Sequence, residues 1–262
     1  DGVPRISRAQ NLDALTSMST CAGYKGILMA ANDLASFFPQ MFTAVGPIRP
    51  ANVLVIGVGV AGLQALATAR RLGAVTYAAD IRPAAAEQAK SLGAKVVDTG
   101  VPEALAVGEG GYAQHLPEAE LLKERERLAE VVKDMDVIFC SALVPGKIAP
   151  VVITEDMVKS MKRGSVIVDI SIDQGGNCAI TPAGSREVKY GVTLEGIKNI
   201  PGMLPQSSTW MFSQNMYNLV KYLVKDDQVV LDMNDEICRS ILVTQDGEIV
   251  HKGAREAMGM NN

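Results

Sequence analysis

Histidine is scarce, cysteine is scattered and cationic charge is in deficit, and each shortage removes a class of function. The two histidines, His115 and His251, stand far apart with no cysteine at ligand spacing, so no metal role is expected of either. The four cysteines (Cys21, Cys140, Cys178 and Cys238) form no CxxC pair. They read as reduced, mostly buried residues of a cytoplasmic protein, not as disulfides or a zinc site. With 25 Lys and Arg against 29 Asp and Glu, the net charge of −4 offers no basic footprint for nucleic acid. The first residues read as neither a signal peptide nor an initiator methionine. The chain opens at Asp1 in what reads as mid-domain, and an upstream part is expected to have been removed or to be encoded elsewhere. One uncharged run, Ala51 to Ala69, is 19 residues long and approaches a membrane span. It holds three glycines and a glutamine and changes from strand to helix pattern halfway, which fits a βα unit better than membrane insertion.

What is present is concentrated between Ala51 and Arg82. The β-rich run Val53–Ile56 leads into Gly57-Val58-Gly59-Val60-Ala61-Gly62. A helical pattern (Leu63, Leu66, Ala67, Arg70) follows, then a second apolar strand, Val75–Ala79, that ends on Asp80. Strand, GxGxxG turn, helix and an acid 18 residues past the last glycine make the dinucleotide fingerprint. Gly57 permits the tight turn, Gly59 lets the pyrophosphate reach the backbone, and Gly62 lets the helix pack on the sheet. The helix N-terminus, with Val60 and Ala61, offers free N–H groups and the positive end of its dipole. Asp80 is expected to accept hydrogen bonds from the adenosine ribose and to repel a 2′-phosphate, which favours NAD(H) over NADP(H). Ile81 and Arg82 follow at the same end of the site; Arg82 clouds that preference, and its side chain is expected to face solvent. The alternative is a βαβ unit whose glycines serve packing alone.

At 262 residues the chain can form one large domain or one and a half. Three segments are expected: 1–46, a nucleotide-site loop and domain-bridging helix; 47–200, a Rossmann-type doubly wound α/β domain; and 201–262, a return helix and hairpin of a second, incomplete α/β domain. In the first, Arg5, Gln10, Asp13 and Thr16 are placed to converge beside a helix that Asp13 or Ser17 starts as N-cap. Gly23 to Thr43 reads as a long helix interrupted near Pro39. Thr99 to Pro117, with Gly108, Gly110, Gly111 and Tyr112, reads as a structureless loop, either a functional lid or a disordered excursion. Ala142 and Leu143 follow the strand Val137–Ser141 and are expected to line the crevice at its carboxyl end. Thr154 caps a helix to Lys162. Val192–Leu194 and Ile197–Ile200 are expected strands, and Leu231–Asp235 with Ser240–Val250 an edge hairpin turning at Asp246-Gly247.

Several phrases together carry a family resemblance: PRISRAQ with Asp13, AGYK at Ala22–Lys25, GVGVAGLQA at Gly57–Ala65, GGYA at Gly110–Ala113, LVPGK at Leu143–Lys147, GSVIVD at Gly164–Asp169 and GGNC at Gly175–Cys178. The chain resembles the alanine dehydrogenase and proton-translocating transhydrogenase family. It is most similar to the NAD(H)-binding domain I of the transhydrogenase α subunit, over about the last two-thirds of that domain. The resemblance implies that Arg5, Gln10 and Asp13 hold the nicotinamide end of NADH and meet the domain that carries NADP(H). Thr16 stands where the family has serine. Tyr112 resembles a mobile-loop tyrosine that closes over the nucleotide; the bland alternative is a surface aromatic.

Ile172-Asp173-Gln174-Gly175-Gly176, like Asn199 with Pro201-Gly202, has the alanine dehydrogenase form. Asp173 and Asn199 are therefore nucleotide-site candidates. Asp173 is either a relic, a proton acceptor in an amino-acid site, or a carboxylate that lines the crevice or caps a loop. The implied activity is hydride transfer between NADH and NADP⁺ on a partner domain. A membrane domain, a homodimer and attachment to the inner membrane through partner subunits complete the expectation. The rivals are a truncated amino-acid dehydrogenase and a non-catalytic NAD-binding regulatory module.

Overall fold

The computed structural model describes residues 2–4, 6–108, 111, 113–144 and 147–260. These fall into two compact units, residues 19–204 and residues 1–18 with 205–262.

The larger unit is a doubly wound α/β domain. It contains most of helix α1 (Ala14–Asp33), the small hairpin β1 (Met41–Thr43) and β2 (Gly46–Ile48), and then an alternation of strands and helices. The succession is β3 (Asn52–Ile56), α2 (Val60–Arg71), β4 (Val75–Ala79), α3 (Pro83–Ser91), β5 (Lys95–Val96), α4 (Glu103–Ala106), α5 (Glu118–Val132), β6 (Val137–Cys140), α6 (Glu155–Ser160), β7 (Val166–Asp169), β8 (Arg186–Lys189) and β9 (Val192–Glu195). Seven of these strands form one sheet in the order β5-β4-β3-β6-β7-β9-β8. All neighbours are parallel except β8, which runs antiparallel along one edge. The order reverses between β3 and β6, the switch point at which a doubly wound sheet opens a crevice at its carboxyl ends.

Period-two alternation explains how the sheet is buried on both faces. In β3, Val53 and Val55 join a core with Ile27, Ala65, Ala69, Phe139 and Val168. Leu54 and Ile56 point the other way, into a core with Leu128, Val132, Ile138, Ile167 and Leu194. Each of these larger side chains contributes about 1.5–3 kcal/mol on full burial. Helix α2 presents the small residues Ala61, Gly62, Ala65 and Ala69 to the sheet, and carries Arg70 and Arg71 in its last turn, where cations complement the dipole. Pro83 opens α3, where its missing N–H costs nothing.

In this unit three expected elements change and one strand is new. The long helix is Ala14–Asp33, not Gly23 to Thr43; beyond it the chain turns into β1 and β2. Thr99 to Pro117 is not structureless: it contains α4 and an antiparallel bridge between Val107 and Ala113. Ile197–Ile200 is not a strand, because Asn199 takes a left-handed φ of 50° and a 3-10 turn, Ile200–Met203, starts there. Strand β8 adds an edge that no apolar run in the sequence announces.

The smaller unit contains the 3-10 turn Ser7–Leu12, the start of α1, and α7 (Pro205–Leu223), followed by β10 (Val224–Lys225), β11 (Gln228–Val229), α8 (Glu236–Ile241), β12 (Thr244–Gln245), β13 (Glu248–Ile249) and α9 (Lys252–Ala257). Its core is Ala9, Leu12 and Ile237, flanked by Val3, Ile6, Leu219, Tyr222 and Ile241. Asp235 ties this unit together: its Oδ2 accepts from Tyr222 at 2.7 Å, and its Oδ1 lies 2.7 Å from Arg8 Nη2. The hairpin β12–β13 turns at Asp246-Gly247, both at positive φ, but Leu231–Asp235 is not a strand and Ser240 lies in α8. Among the described residues, no helix is long and apolar enough to cross a membrane.

Candidate functional site

The centre of the larger unit's crevice is the turn from β3 into α2. Gly57 has φ +82°, and a Cβ there would lie 2.5 Å from the Ala142 nitrogen, so only glycine fits. A Cβ on Gly62 would meet the Gly57 carbonyl oxygen at 2.2 Å, which is the close approach of helix to strand. Gly59 differs: nothing lies within 4 Å of its Cβ position. Its missing side chain serves open space and not packing.

Helix α2 begins there without a side-chain cap and without an acid in its first turn. Its first hydrogen bond runs from the Leu63 N–H to the Gly59 carbonyl at 2.8 Å, so the N–H groups of Val60, Ala61 and Gly62 have no acceptor within the helix. Open space, unspent N–H groups and the positive dipole end together form a cradle of the kind that suits an anion. The cradle is backed by α1, where a Cβ on Gly23 would come 2.2 Å from the Ala61 carbonyl oxygen.

Asp80 stands at the end of β4, beside the turn. Its Oδ2 accepts from the Val58 N–H at 2.7 Å and its Oδ1 from the Arg82 N–H at 2.8 Å. Arg82 does not face solvent as expected. Its Nε donates to Oδ1 at 2.9 Å and its Nη2 to Oδ2 at 2.8 Å, and the Arg82 and Asp80 side chains are 17% and 4% exposed. Asp80 holds the Arg82 guanidinium in its charged form and raises its pKa. Ile81, between them, is partly buried against the second core.

Across the switch point, Ala142 follows β6, with Leu143 exposed beyond it. Ser141 Oγ donates to the Gly57 carbonyl at 2.7 Å. Asn177, in sequence only one letter of the GGNC phrase, clamps the Ala142 peptide on both sides. Its Oδ1 accepts from the Ala142 N–H at 2.9 Å, and its Nδ2 donates to the Ala142 and Pro150 carbonyls, both at 2.8 Å. Buried Asp169 at the end of β7 fixes Asn177 in turn, accepting from the N–H groups of Ser171 (3.0 Å), Asn177 (2.7 Å) and Cys178 (2.9 Å). Gly-Gly-Asn-Cys after a strand ending in aspartate is the sequence signal for this clamp.

Asp173 is exposed, in the 3-10 turn Ile172–Gln174 that follows β7, with Lys198 Nζ 3.5 Å away. Asn199 is exposed, and Gly111, at φ +74°, is exposed too. In the smaller unit, Gln10 is exposed on the 3-10 turn, and Asp13 caps α1. The Asp13 Oδ1 accepts from the Thr16 N–H at 3.1 Å and its Oδ2 from the Thr16 hydroxyl at 2.6 Å. Asp13, not Ser17, starts the helix. Arg5, Gly110 and Tyr112, with Pro145 and Gly146 of the LVPGK phrase, lie outside the described residues.

In the larger unit two buried acids, Glu124 and Glu195, have raised pKa values. Glu124 on α5 is 5% exposed; burial, with the Asp80 charge adding to it, pushes its pKa to about 7. Glu195 at the end of β9 is 3% exposed and hydrogen-bonded to Asp33; burial pushes it to about 7 as well, although Arg186 contacts both acids at 3.1 Å. Unfolded, each group titrates near 4.5. The folded state therefore binds more protons between the two values. Its stabilisation by these groups is complete below pH 4.5 and is lost as pH rises through about 7. Replacing both by glutamine is expected to remove that slope, so that the variant gains on the parent in urea unfolding midpoint from about pH 5 to about pH 8. A difference that stays constant with pH would mean that both acids are ionised in the fold.

A parallel sheet of this order, with an open glycine turn at the head of α2 and an acid at the end of the next strand, defines the dinucleotide-binding class of doubly wound proteins. Residues 26–252 match the family model for the alanine dehydrogenase/PNT, C-terminal domain, and the chain belongs to that family. It is 45% identical over 253 residues to an NAD(P) transhydrogenase subunit alpha polypeptide of Rhodospirillum rubrum, covering 95% of this chain and 66% of that protein. Its structure is similar to that of transhydrogenase from Sinorhizobium meliloti, with a TM-score of 0.81 at 38% identity, over 95% of this chain and 66% of that one. It shares its fold with an L-alanine dehydrogenase, with a TM-score of 0.72 at 24% identity, over 94% of this chain and 64% of that one. The chain spans about two-thirds of the length of these relatives.

Proposed function

We propose that the chain is the NAD(H)-binding component of a nicotinamide nucleotide transhydrogenase. The observation that supports this most is the cradle at Gly59, in a chain 45% identical to a transhydrogenase alpha subunit. The residues present fit a dinucleotide: Gly59 leaves room for the pyrophosphate, the first turn of α2 supplies N–H donors, and Asp80 stands where an adenosine ribose would be read.

When bound, the nicotinamide supplies the hydride, and the accepting NADP⁺ is held on a partner domain. The chain's own residues bind, orient and exclude water, and none needs to act as acid or base. In this reading Arg5, Gln10, Asp13 and Thr16 serve the nicotinamide end, and Tyr112 closes over it. Gly111, Ala142, Leu143, Asp173 and Asn199 border the nucleotide. The 1–46, 47–200 and 201–262 division belongs to the same reading, as do a membrane-domain partner, a homodimer and peripheral attachment to the inner membrane.

The test is to mix the chain with an NADP(H)-binding component and follow hydride exchange between nucleotide analogues. Exchange that needs both proteins is the expected result. NADH binding without exchange would favour a regulatory module instead. The exposed Asp173 keeps a second reading, an amino-acid dehydrogenase; NADH formation from alanine and NAD⁺ by the same preparation would favour it.

A further inference from the structure

We propose that the Arg82 guanidinium is an internal latch on the ribose-reading carboxylate, and that a dinucleotide enters by displacing it. This rests on the reading of the crevice as an NAD(H) site. A carboxylate has about four lone-pair directions to fill. On Asp80 all four are taken by its own chain: two by the backbone N–H groups of Val58 and Arg82, and two by the Nε and Nη2 of Arg82. A ribose diol would also need one position on each oxygen. The fork of Arg82 holds that pair of positions, one on Oδ1 at 2.9 Å and one on Oδ2 at 2.8 Å. The guanidinium thus imitates the two hydroxyls, with the added attraction of its charge.

The backbone bonds have a different part. They come from the glycine turn and from the residue that precedes α3, so they persist whichever partner fills the outer positions. Asp80 stays aimed while its partners change. The latch also answers a burial problem, because a carboxylate 4% exposed and close to the buried Glu124 would otherwise lack a counter-charge. Arg82 itself is 17% exposed, so its side chain already borders water, the direction in which displacement would carry its head.

The latch makes Arg82 an affinity-setting residue through competition. A closed state favoured about tenfold over the open one raises the measured Kd for a ribose-bearing nucleotide about tenfold, because only the open fraction binds. Arg82→Ala is therefore expected to bind NADH about tenfold more tightly than the parent in calorimetric titration. Arg82→Lys keeps the charge and fits the same surface, but a single ammonium cannot span both oxygens, so its affinity is expected to fall between the two.

Equal or weaker NADH binding by Arg82→Ala, with the parent binding normally, would overturn the latch and leave the dinucleotide site standing. Weaker binding by Arg82→Lys than by the parent would also overturn it, since the guanidinium would then be serving the nucleotide directly. If parent and variants alike failed to bind NADH, both the latch and the reading beneath it would fall.

Discussion

Gly59→Val is expected to leave the fold standing and to abolish most nucleotide binding. The residue has φ −84° and ψ −162°, extended backbone that a β-branched side chain adopts readily, and no atom lies within 4 Å of the new Cβ. The stability cost is confined to the loss of a favourable glycine N-cap, less than about 1 kcal/mol. The new methyl groups would stand in the space that a diphosphate needs, between it and the N–H groups of α2. A weakening of about a hundredfold in NADH affinity, ~2.7 kcal/mol, is the expected scale. Gly62→Ala is the contrast: its Cβ would meet a backbone carbonyl at 2.2 Å, so the damage falls on folding. The pair separates the two kinds of glycine in one motif, measured by urea unfolding and NADH titration together. If Gly59→Val bound NADH like the parent, the cradle would be in the wrong place.

Asp169→Ala should cause the largest loss of stability of any single change near the site. The carboxylate is fully buried and satisfies three backbone N–H groups, those of Ser171, Asn177 and Cys178. Each donor left buried without an acceptor costs about 1–3 kcal/mol, so a total loss of about 3–9 kcal/mol is expected. Against the ~5–15 kcal/mol of a typical domain, that is a large fraction. Burial raises the Asp169 pKa while the three N–H groups oppose it, so the charged form is held by hydrogen bonds alone. Asp169→Asn should cost less, since it keeps one acceptor oxygen and the side-chain shape. The consequence should reach the crevice, because Asn177 clamps Ala142 against the Gly57 turn. A loss below about 1 kcal/mol in urea unfolding of Asp169→Ala would mean that the freed donors find other acceptors.

The sheet's central strands and the glycine turn are legible in the sequence because their signals are local. Val53–Ile56, the three glycines and the apolar run before Asp80 are contiguous, and their roles follow from residue type. Strand β8, Arg-Glu-Val-Lys, is hidden because an antiparallel edge with a charged outer face carries no apolar run. Asn199 and Pro201 break a segment whose isoleucines suggest a strand. The Arg82–Asp80 pairing is hidden too. It depends on how the chain bends after β4, and no spacing rule distinguishes a fork folded back on its neighbour from one in water. The grip of Asn177 on Ala142 spans 35 residues of sequence and emerges only when β6 and β7 lie side by side.

At Gly23 the main chain of α1 rests on the Ala61 carbonyl with no side chain between them. Rotamer changes cannot absorb a displacement at such a point. A slide of α1 would therefore press on the main chain at the head of α2 directly. Mutations scattered along the outer surface of α1 would be felt at the glycine turn only to the extent that they move the helix as a body. Whatever docks on that helix therefore has a mechanical handle on that turn.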